Sequence, residues 1–367
     1  MTECMGSMQE NVSEKLFAWG QGRSVCGLSP VASGEKMAEG GLRLQGRYKC
    51  STSQKPLVTF LTVVWNNKDT LRRCMDSVWA QTYDNIEYIV VDGGSTDGTL
   101  DLIESYADRI DYYVSQKDAG IYDGMNKALS LASGRLINLI NSDDWLEPGA
   151  AETAVKLYLQ EGYDFLGGAG NVYAADGSKA FVWRPRRINY GTIFYGAPML
   201  HQAVFVSQDG YEKVGNFDVS YRIIADFKQM IDTNMAGLTI LRTNEILANF
   251  MQGGMSADQD TDLAERLRLE RSYFPFLTEE DALILHKQLD VTTFWQKLAE
   301  AEDQAVLFDF MEKYKDQPTF QRCIAEAILM RYEELKGLYL QKSEQKFVAE
   351  APTNWFKAIW QKGFGKK

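Results

Sequence analysis

At 367 residues, with 45% hydrophobic and 24% charged side chains, the chain has an ordinary globular composition and room for one large domain or two medium ones. Its formal net charge of -11 argues against nucleic acid as the main partner, because phosphate binding needs a basic surface. It contains no apolar run of the roughly 18 residues that a transmembrane helix needs. The polar, acidic stretch from Met1 to Asn11 lacks the charged-then-apolar pattern of a signal peptide. The 5 cysteines are odd in number, scattered, and form no Cys-x-x-Cys pair, which fits a reducing, cytoplasmic setting and supports neither a disulfide framework nor a zinc site.

Residues 1–55 are rich in Gly, Ser, Met and charged groups and lack sustained periodicity. They read as an irregular N-terminal extension with a short helix near Val12 to Trp19. From Leu57 to Trp65 a nearly continuous apolar run suits a strand buried on both faces. Asp69 or Thr70 can cap a helix whose Leu71, Cys74, Met75, Val78 and Trp79 share one stripe. Ile86 to Val91 is a second buried strand, Asp92-Gly93-Gly94-Ser95 a turn, and Thr96 or Asp97 the cap of a helix through Tyr106. Ile110 to Val114 reads as a third strand. Gly120 to Ser133 reads as a helix closed by Gly134, and Leu136 to Ile140 as a fourth strand. Short strands near Phe165 to Tyr173 and Val204 to Val206 follow, and Pro148 to Leu159 fits a helix between them and the fourth strand. Gly253-Gly254-Met255-Ser256 marks the end of a domain over 56–256. The remainder, 257–367, is charged and helical in pattern, with segments such as Leu263 to Tyr273, Glu279 to Leu289 and Gln321 to Tyr339.

Strand and helix in this alternation predict an α/β fold, a mostly parallel sheet flanked by helices. Ligands bind such sheets beyond the carboxyl ends of the strands. That directs attention to Trp65-Asn66-Asn67, Asp92 to Asp97, Ser115 to Gly120 and Asn141 to Trp145. In Asn141-Ser142-Asp143-Asp144 a buried strand delivers two adjacent carboxylates to the ligand edge. Carboxylates suit Mg²⁺ or Mn²⁺, above all a metal that also binds substrate phosphates. Taken alone, the same four residues fit a solvated acidic turn. The Asp92 turn fits a plain strand-to-helix connection, although that does not require Asp92 at the strand end, where it could accept from a base or ribose.

Several runs decide between these readings. They are Thr62-Val63-Val64-Trp65-Asn66, then Gln81-Thr82-Tyr83, then Glu87 to Thr99, then Lys117-Asp118-Ala119-Gly120-Ile121-Tyr122-Asp123-Gly124-Met125-Asn126-Lys127-Ala128. Ala132-Ser133-Gly134 and Leu139 to Asp144 follow. In this order they closely resemble the family 2 glycosyltransferases of the GT-A fold, over roughly 56–256. The resemblance implies an inverting enzyme that uses a nucleotide sugar, either a UDP-hexose or a UDP-N-acetylhexosamine. It implies a hexosyltransferase of polysaccharide assembly acting on a glycan or a lipid-linked glycan.

The resemblance also implies roles. Val64, Trp65 and Asn66 would lie at the nucleobase and ribose, with the Trp65 indole able to stack on uracil. Asp92 would bind the base. Lys117, Asp118 and Asn126 would sit beside the diphosphate and sugar, with Asn141 and Ser142 also at the donor. Asp143 matches the family's metal-binding acid, with Asp144 as a second ligand of Mn²⁺ or Mg²⁺. Asn141 stands where the family often has Asp, and Trp65 where Tyr is more usual. Asp226, in Tyr221-Arg222-Ile223-Ile224-Ala225-Asp226-Phe227-Lys228, resembles the family's late acid opening a helix and is the candidate general base. A helix-start carboxylate favoured by the dipole is the plainer reading of the same residue. Asp218 is a rival in the preceding turn. Trp145, His201, Gln202 and Arg222 are candidates for the acceptor side.

Two further features stand apart from these motifs. Trp183-Arg184-Pro185-Arg186-Arg187 is a basic cluster that could attract an anionic acceptor or be solvated surface. Near the C-terminus Trp355, Phe356, Ile359 and Trp360 share a helical face ringed by lysines, a pattern for peripheral contact with the inner face of a membrane, for docking on the chain's own core, or for a homo-oligomer. A degenerate glycan- or nucleotide-binding module without turnover is the alternative from another class, and retention of Asp143 and Asp226 weighs against it. A sugar-phosphate nucleotidyltransferase would want a Gly-rich basic signature after the first strand, and a dinucleotide-dependent oxidoreductase a Gly-x-Gly-x-x-Gly; Val64 to Asp69 has neither.

Overall fold

The computed structural model describes residues 36–254, 258–289 and 301–342, without the side chains of 301–305, 308 and 331–342. The helix expected near Val12 to Trp19, the Met255-Ser256 boundary and the C-terminal aromatic face lie outside the described residues. The chain divides into two compact units: one runs to Arg186 and resumes over Met199–Asp258, and the other takes Arg187–Pro198 and everything from Gln259.

The first unit is built on one sheet. Its elements in chain order are β1 (Ala38–Gly40), β2 (Val58–Val64), α1 (Lys68–Trp79), β3 (Ile86–Asp92), α2 (Thr99–Glu104), β4 (Tyr112–Ser115), α3 (Ile121–Leu131), β5 (Leu136–Leu139), β6 (Trp145–Leu146), α4 (Ala150–Glu161), β7 (Phe165–Tyr173) and β8 (Lys179–Trp183). After the excursion into the second unit come β9 (Val204–Ser207), α6 (Gln208–Val214), α7 (Ala225–Met235) and β10 (Ile240–Met251), with α5 (Thr192–Tyr195) lying in that excursion. The strand order is β1-β4-β3-β2-β5-β9-β7-β10-β6, with β8 beside β7. The strands β4, β3, β2 and β5 run parallel to one another, and the sheet becomes mixed beyond β5. This is the helix-flanked α/β sheet expected from the alternation of elements.

All seven residues of β2 are buried, as a continuous apolar run in a two-sided sheet should be. Helix α1 turns Leu71, Cys74, Met75 and Val78 onto the same core. Its cap is Asn67, two to three residues earlier than expected, and Asp97 from across the edge accepts from the Lys68 N–H at 3.2 Å. β2 leads by α1 to β3 on one side, and the chain later returns by α3 to β5 on the other side of β2. That reversal makes the carboxyl ends of β2 and β5 the switch point of the sheet, where α/β sheets commonly bind ligands.

Part of the stretch expected to be irregular is structured. β1 adds an antiparallel edge to β4, and the following turn inserts Arg43 into a buried polar knot. Arg43 Nη2 lies 2.5 Å from Glu87 Oε1, and Glu87 also accepts from Ser133 N at 3.0 Å and from Thr59 Oγ1 at 2.6 Å. Burial alone would raise the Glu87 pKa. The Arg43 guanidinium and the Ser133 and Thr59 donors outweigh it and hold the carboxyl below its ordinary range. A depressed carboxylate stabilises the fold above its unfolded pKa, and that stabilisation fades as pH falls through the folded value. Arg43→Ala is therefore expected to remove about 3 kcal/mol at neutral pH by stranding a buried charge. The deficit should shrink in acid, where Glu87 is protonated; urea melts of both proteins at neutral and acid pH test this.

The second unit contains α5, α8 (Gln259–Tyr273), α9 (Glu279–Gln288), α10 (Ala301–Lys313) and α11 (Pro318–Lys342). Its core is aromatic: Phe194 and Phe276 both pack against Phe274 and Phe320. Helix α11 passes so close to Gly191 that any side chain there would strike the Ala327 backbone. Among the described residues no helix is long and apolar enough to cross a membrane.

Candidate active site

The carboxyl ends of β2, β3, β4 and β5 bring the expected residues to one edge of the first unit. Trp65 and Asn66 follow β2. Trp65 is 66% exposed, so its indole face is open. Asn66 adopts a left-handed φ of 47°, which asparagine tolerates because its side chain can bond locally. Its Oδ1 accepts from Thr96 N and its N–H donates to Ser95 Oγ, both at 2.8 Å. Asn66 thereby joins the β2 end to the β3 turn.

Asp92 has a different setting from the one the resemblance implied. It is 1% exposed, and its carboxylate accepts from Ser95 N at 3.1 Å, Ser95 Oγ at 2.5 Å and Ser115 Oγ at 2.6 Å. Asp92 shapes the turn from beneath, and Gly94 at φ 86° supplies the positive φ that the turn needs.

Asp118 follows β4 and reaches back over this turn. A Cβ on Gly93 would collide with its carboxylate, and one on Gly124 would lie 3.2 Å from Asp118 Oδ2. Two glycines thus leave the berth in which the Asp118 carboxylate rests. Burial raises its pKa, aided by Asp123 and Asp92 and opposed by Gly120 N–H and Lys127. Gly93→Ala is expected to displace Asp118 and cost about tenfold in donor turnover with the fold intact; steady-state kinetics with a circular-dichroism melt test it. Lys117 is exposed beside it.

The acidic turn after β5 separates its two carboxylates. Asp143 is half-buried, and its Oδ2 approaches Gly254 near the end of β10. Desolvation raises its pKa, against which its own backbone and Arg73 act. Arg73 Nη2 donates to the Asp143 carbonyl at 2.7 Å while its guanidinium lies 3.9 Å from the Trp145 ring centroid. Trp145 also packs on Tyr173 at 4.9 Å. Asp144 is fully buried and points away into the sheet, where Oδ2 accepts from Gln202 Nε2 at 2.7 Å and Oδ1 from Met251 N at 2.8 Å.

This corrects three expectations. Asp144 is a structural tie rather than a second metal ligand, because it is fully buried and turned to Gln202 and the Met251 backbone. Gln202 is its partner and is buried, so it does not face an acceptor. Asn126, expected at the donor, is buried and clamps the Phe217 backbone from both sides, with Oδ1 accepting from Phe217 N at 2.8 Å and Nδ2 donating to Phe217 O at 2.9 Å. Ser142 is likewise buried, with its hydroxyl accepting from Asn67 Nδ2 at 2.8 Å and its carbonyl from Thr70. Val64 is a core residue whose carbonyl accepts from Gly93 N. Asn141 is half-buried beside them.

Asp226 opens α7, where the helix N-terminus favours a carboxylate. It is half-buried, and its Oδ1 lies 2.8 Å from the Tyr122 hydroxyl. His201 sits edge-on to Phe217 at 5.9 Å; burial lowers its pKa, and the Asp226 charge acts the other way. Arg222 is exposed on the loop before α7, and the rival Asp218 accepts from Ser220 N at 3.0 Å in its own turn. Sequence reasoning missed Arg73 and Tyr122. Only the spacing of Tyr122 four residues before Asn126, which puts both on one face of α3, signals the second of them.

Residues 59–213 match the model of the family described as Glycosyl transferase family 2. That segment belongs to family 2 of the glycosyltransferases. It carries β2 to β9, and with them Asp92, Asp118 and Asp143, whereas Asp226 lies beyond it. Glycosyltransferase GlyA of Streptococcus pneumoniae is 33% identical over 128 residues, 34% of this chain and 18% of that protein. A PGL/p-HBAD biosynthesis glycosyltransferase of Mycobacterium bovis is 27% identical over 175 residues, 47% of this chain and 67% of that protein. The chain thus spans 18% of the length of the first of these relatives. Among solved structures, S. aureus TarS 1-349 aligns with a TM-score of 0.48 and 15% identity over 77% of this chain and 83% of that one.

Among the described residues, no group of three or more His, Cys, Asp or Glu side chains gathers to hold a metal unaided. At the end of β5 the family 2 segment instead presents Asp143, a half-buried carboxylate whose charged form burial disfavours and Arg73 only partly supports, so a bound cation would relieve it. A single carboxylate fits Mg²⁺ or Mn²⁺, ions that complete their shells with water and substrate phosphates.

Proposed function

We propose that the protein is an inverting glycosyltransferase that moves a hexose or N-acetylhexosamine from its UDP donor to a glycan or lipid-linked glycan. The observation that supports this reading is the placement of Asp143 after β5 and Asp118 after β4, both at the carboxyl ends of the parallel strands in the segment that matches family 2. Trp65 would stack on the base, the Asp92 turn would hold the nucleoside, and Asp118 and Lys117 would flank the diphosphate and sugar. Asp143 would hold Mn²⁺ or Mg²⁺, which supplies charge neutralisation to the departing nucleoside diphosphate when bound.

Asp226 is the base in this reading. Its carboxylate takes the proton of the acceptor hydroxyl as that oxygen bonds to the anomeric carbon. The bond from the anomeric carbon to the phosphate oxygen breaks with its electron pair leaving on UDP, and displacement from the opposite side inverts the centre. Trp145, His201 and Arg222 would line the acceptor side. The domain would run over 56–256, less the segment 187–198, followed by a helical C-terminal region. The setting would be the cytoplasm, at the inner face of the membrane where a lipid-linked acceptor is used.

The test is UDP release from UDP-glucose, UDP-galactose and UDP-N-acetylglucosamine, with and without Mn²⁺. Metal-stimulated turnover of one donor is expected. Binding of these donors without any turnover in the presence of acceptor glycans would favour a binding module instead.

A further inference from the structure

We infer that Tyr122 is a positioning residue for the Asp226 carboxylate, an inference that rests on Asp226 being the base. The phenol oxygen lies 2.8 Å from Asp226 Oδ1 and 2.5 Å from the Ile223 carbonyl. One hydroxyl proton therefore faces two acceptors and serves one at a time. Among the described residues, Asp226 Oδ2 has no hydrogen-bond partner, so anchoring Oδ1 leaves the other oxygen for an acceptor hydroxyl.

The phenol is itself held firmly. Tyr122 is 6% exposed and its ring lies on Phe217 at 5.5 Å with an interplanar angle of 35°. Phe217 is pinned through both its backbone groups by Asn126, one turn along α3 from Tyr122. His201 also meets the Phe217 ring, edge-on at 5.9 Å. Helix α3 begins at Ile121, three residues after Asp118, so the donor-side loop runs directly into the helix whose second residue braces the base.

While Asp226 is a carboxylate, the phenol donates to Oδ1 and fixes its rotamer. When Oδ2 takes the acceptor proton, the carboxyl becomes neutral and the phenol proton swings to the Ile223 carbonyl. Tyr122 gains and loses no proton over the cycle.

The experiment uses the full chain, Mn²⁺ and whichever of UDP-glucose, UDP-galactose or UDP-N-acetylglucosamine the wild type turns over fastest, with water as acceptor and UDP release as readout. Tyr122→Phe keeps the ring and its packing on Phe217. It is expected to lower kcat about 10- to 100-fold, the effect of losing a hydrogen bond to a charged group, with donor KM unchanged. In an Asp226→Asn background the same change is expected to add nothing. Unchanged kcat in Tyr122→Phe, while Asp226→Asn is inactive, overturns this inference alone. Full activity in Asp226→Asn overturns the assignment of the base. An equal loss from Tyr122→Phe in both backgrounds, or a loss confined to donor KM, also overturns the inference. If the phenylalanine variant does not fold, replacing Tyr122 by 3-fluorotyrosine keeps ring and hydroxyl. It is expected to shift kcat about twofold through the changed acidity of the phenol, and no shift overturns the inference.

Discussion

Asp226→Asn is expected to bind the nucleotide sugar as wild type does and to transfer the sugar about 10²–10⁴ times more slowly. The amide keeps the shape of the side chain and one oxygen for the Tyr122 hydroxyl, so the start of α7 and the burial of Phe227 behind it persist. What disappears is the group that takes the acceptor proton in the proposed mechanism. Calorimetric titration with UDP, beside a transfer assay, separates the two effects. Unaltered transfer would move the base elsewhere, and lost UDP binding would make Asp226 a donor-site residue.

Asp143→Ala and removal of divalent metal by EDTA are expected to give one phenotype, a fall of about 10²–10³ in turnover with weakened UDP binding. Chelation should add nothing to the alanine variant. Because burial raises the Asp143 pKa, the carboxylate protonates at a higher pH than an ordinary aspartate. A metal ligand must be deprotonated, so Mn²⁺ affinity should begin to fall on acidification above the usual carboxylate range. The same burial makes the charge a burden on the metal-free fold, and Asp143→Ala should not lower the melting temperature. A lower melting point, or turnover indifferent to EDTA, would assign Asp143 a structural task like that of its neighbour Asp144.

The parallel half of the sheet was legible because its strands are buried on both faces and read as unbroken apolar runs, as in β2 and β3. β10 was not legible. Its burial alternates poorly, and Thr243, Asn244 and Glu245 interrupt it where the register to β7 shifts. β1 was missed because a three-residue edge strand leaves no periodic trace. At the candidate site, motif order pointed to loops that the sheet does bring to one edge, whereas the direction of individual side chains was invisible to it. Asp143 and Asp144 are adjacent in sequence, yet one stays half-buried at the sheet edge and the other is consumed inside the sheet. Asn126 reads as a donor contact by its motif and acts as a backbone clamp. Gly93 and Gly124 read as turn and helix residues, and only the structure shows them making room for Asp118.

The place of β10 between β7 and β6 has a consequence for how the molecule comes into being. β7 is eight-ninths buried in the finished sheet, and one of its two edges stays bare until residues 240–251 have left the ribosome. The stretch matched by the family model is therefore synthesised in full before its own sheet can close. Met251, the last residue of β10, supplies the N–H that Asp144 accepts. The turn bearing Asp143 thus takes its final form only when that late strand slots in, so a nascent or shortened chain passes through a state with an open sheet edge, the kind of edge that favours self-association.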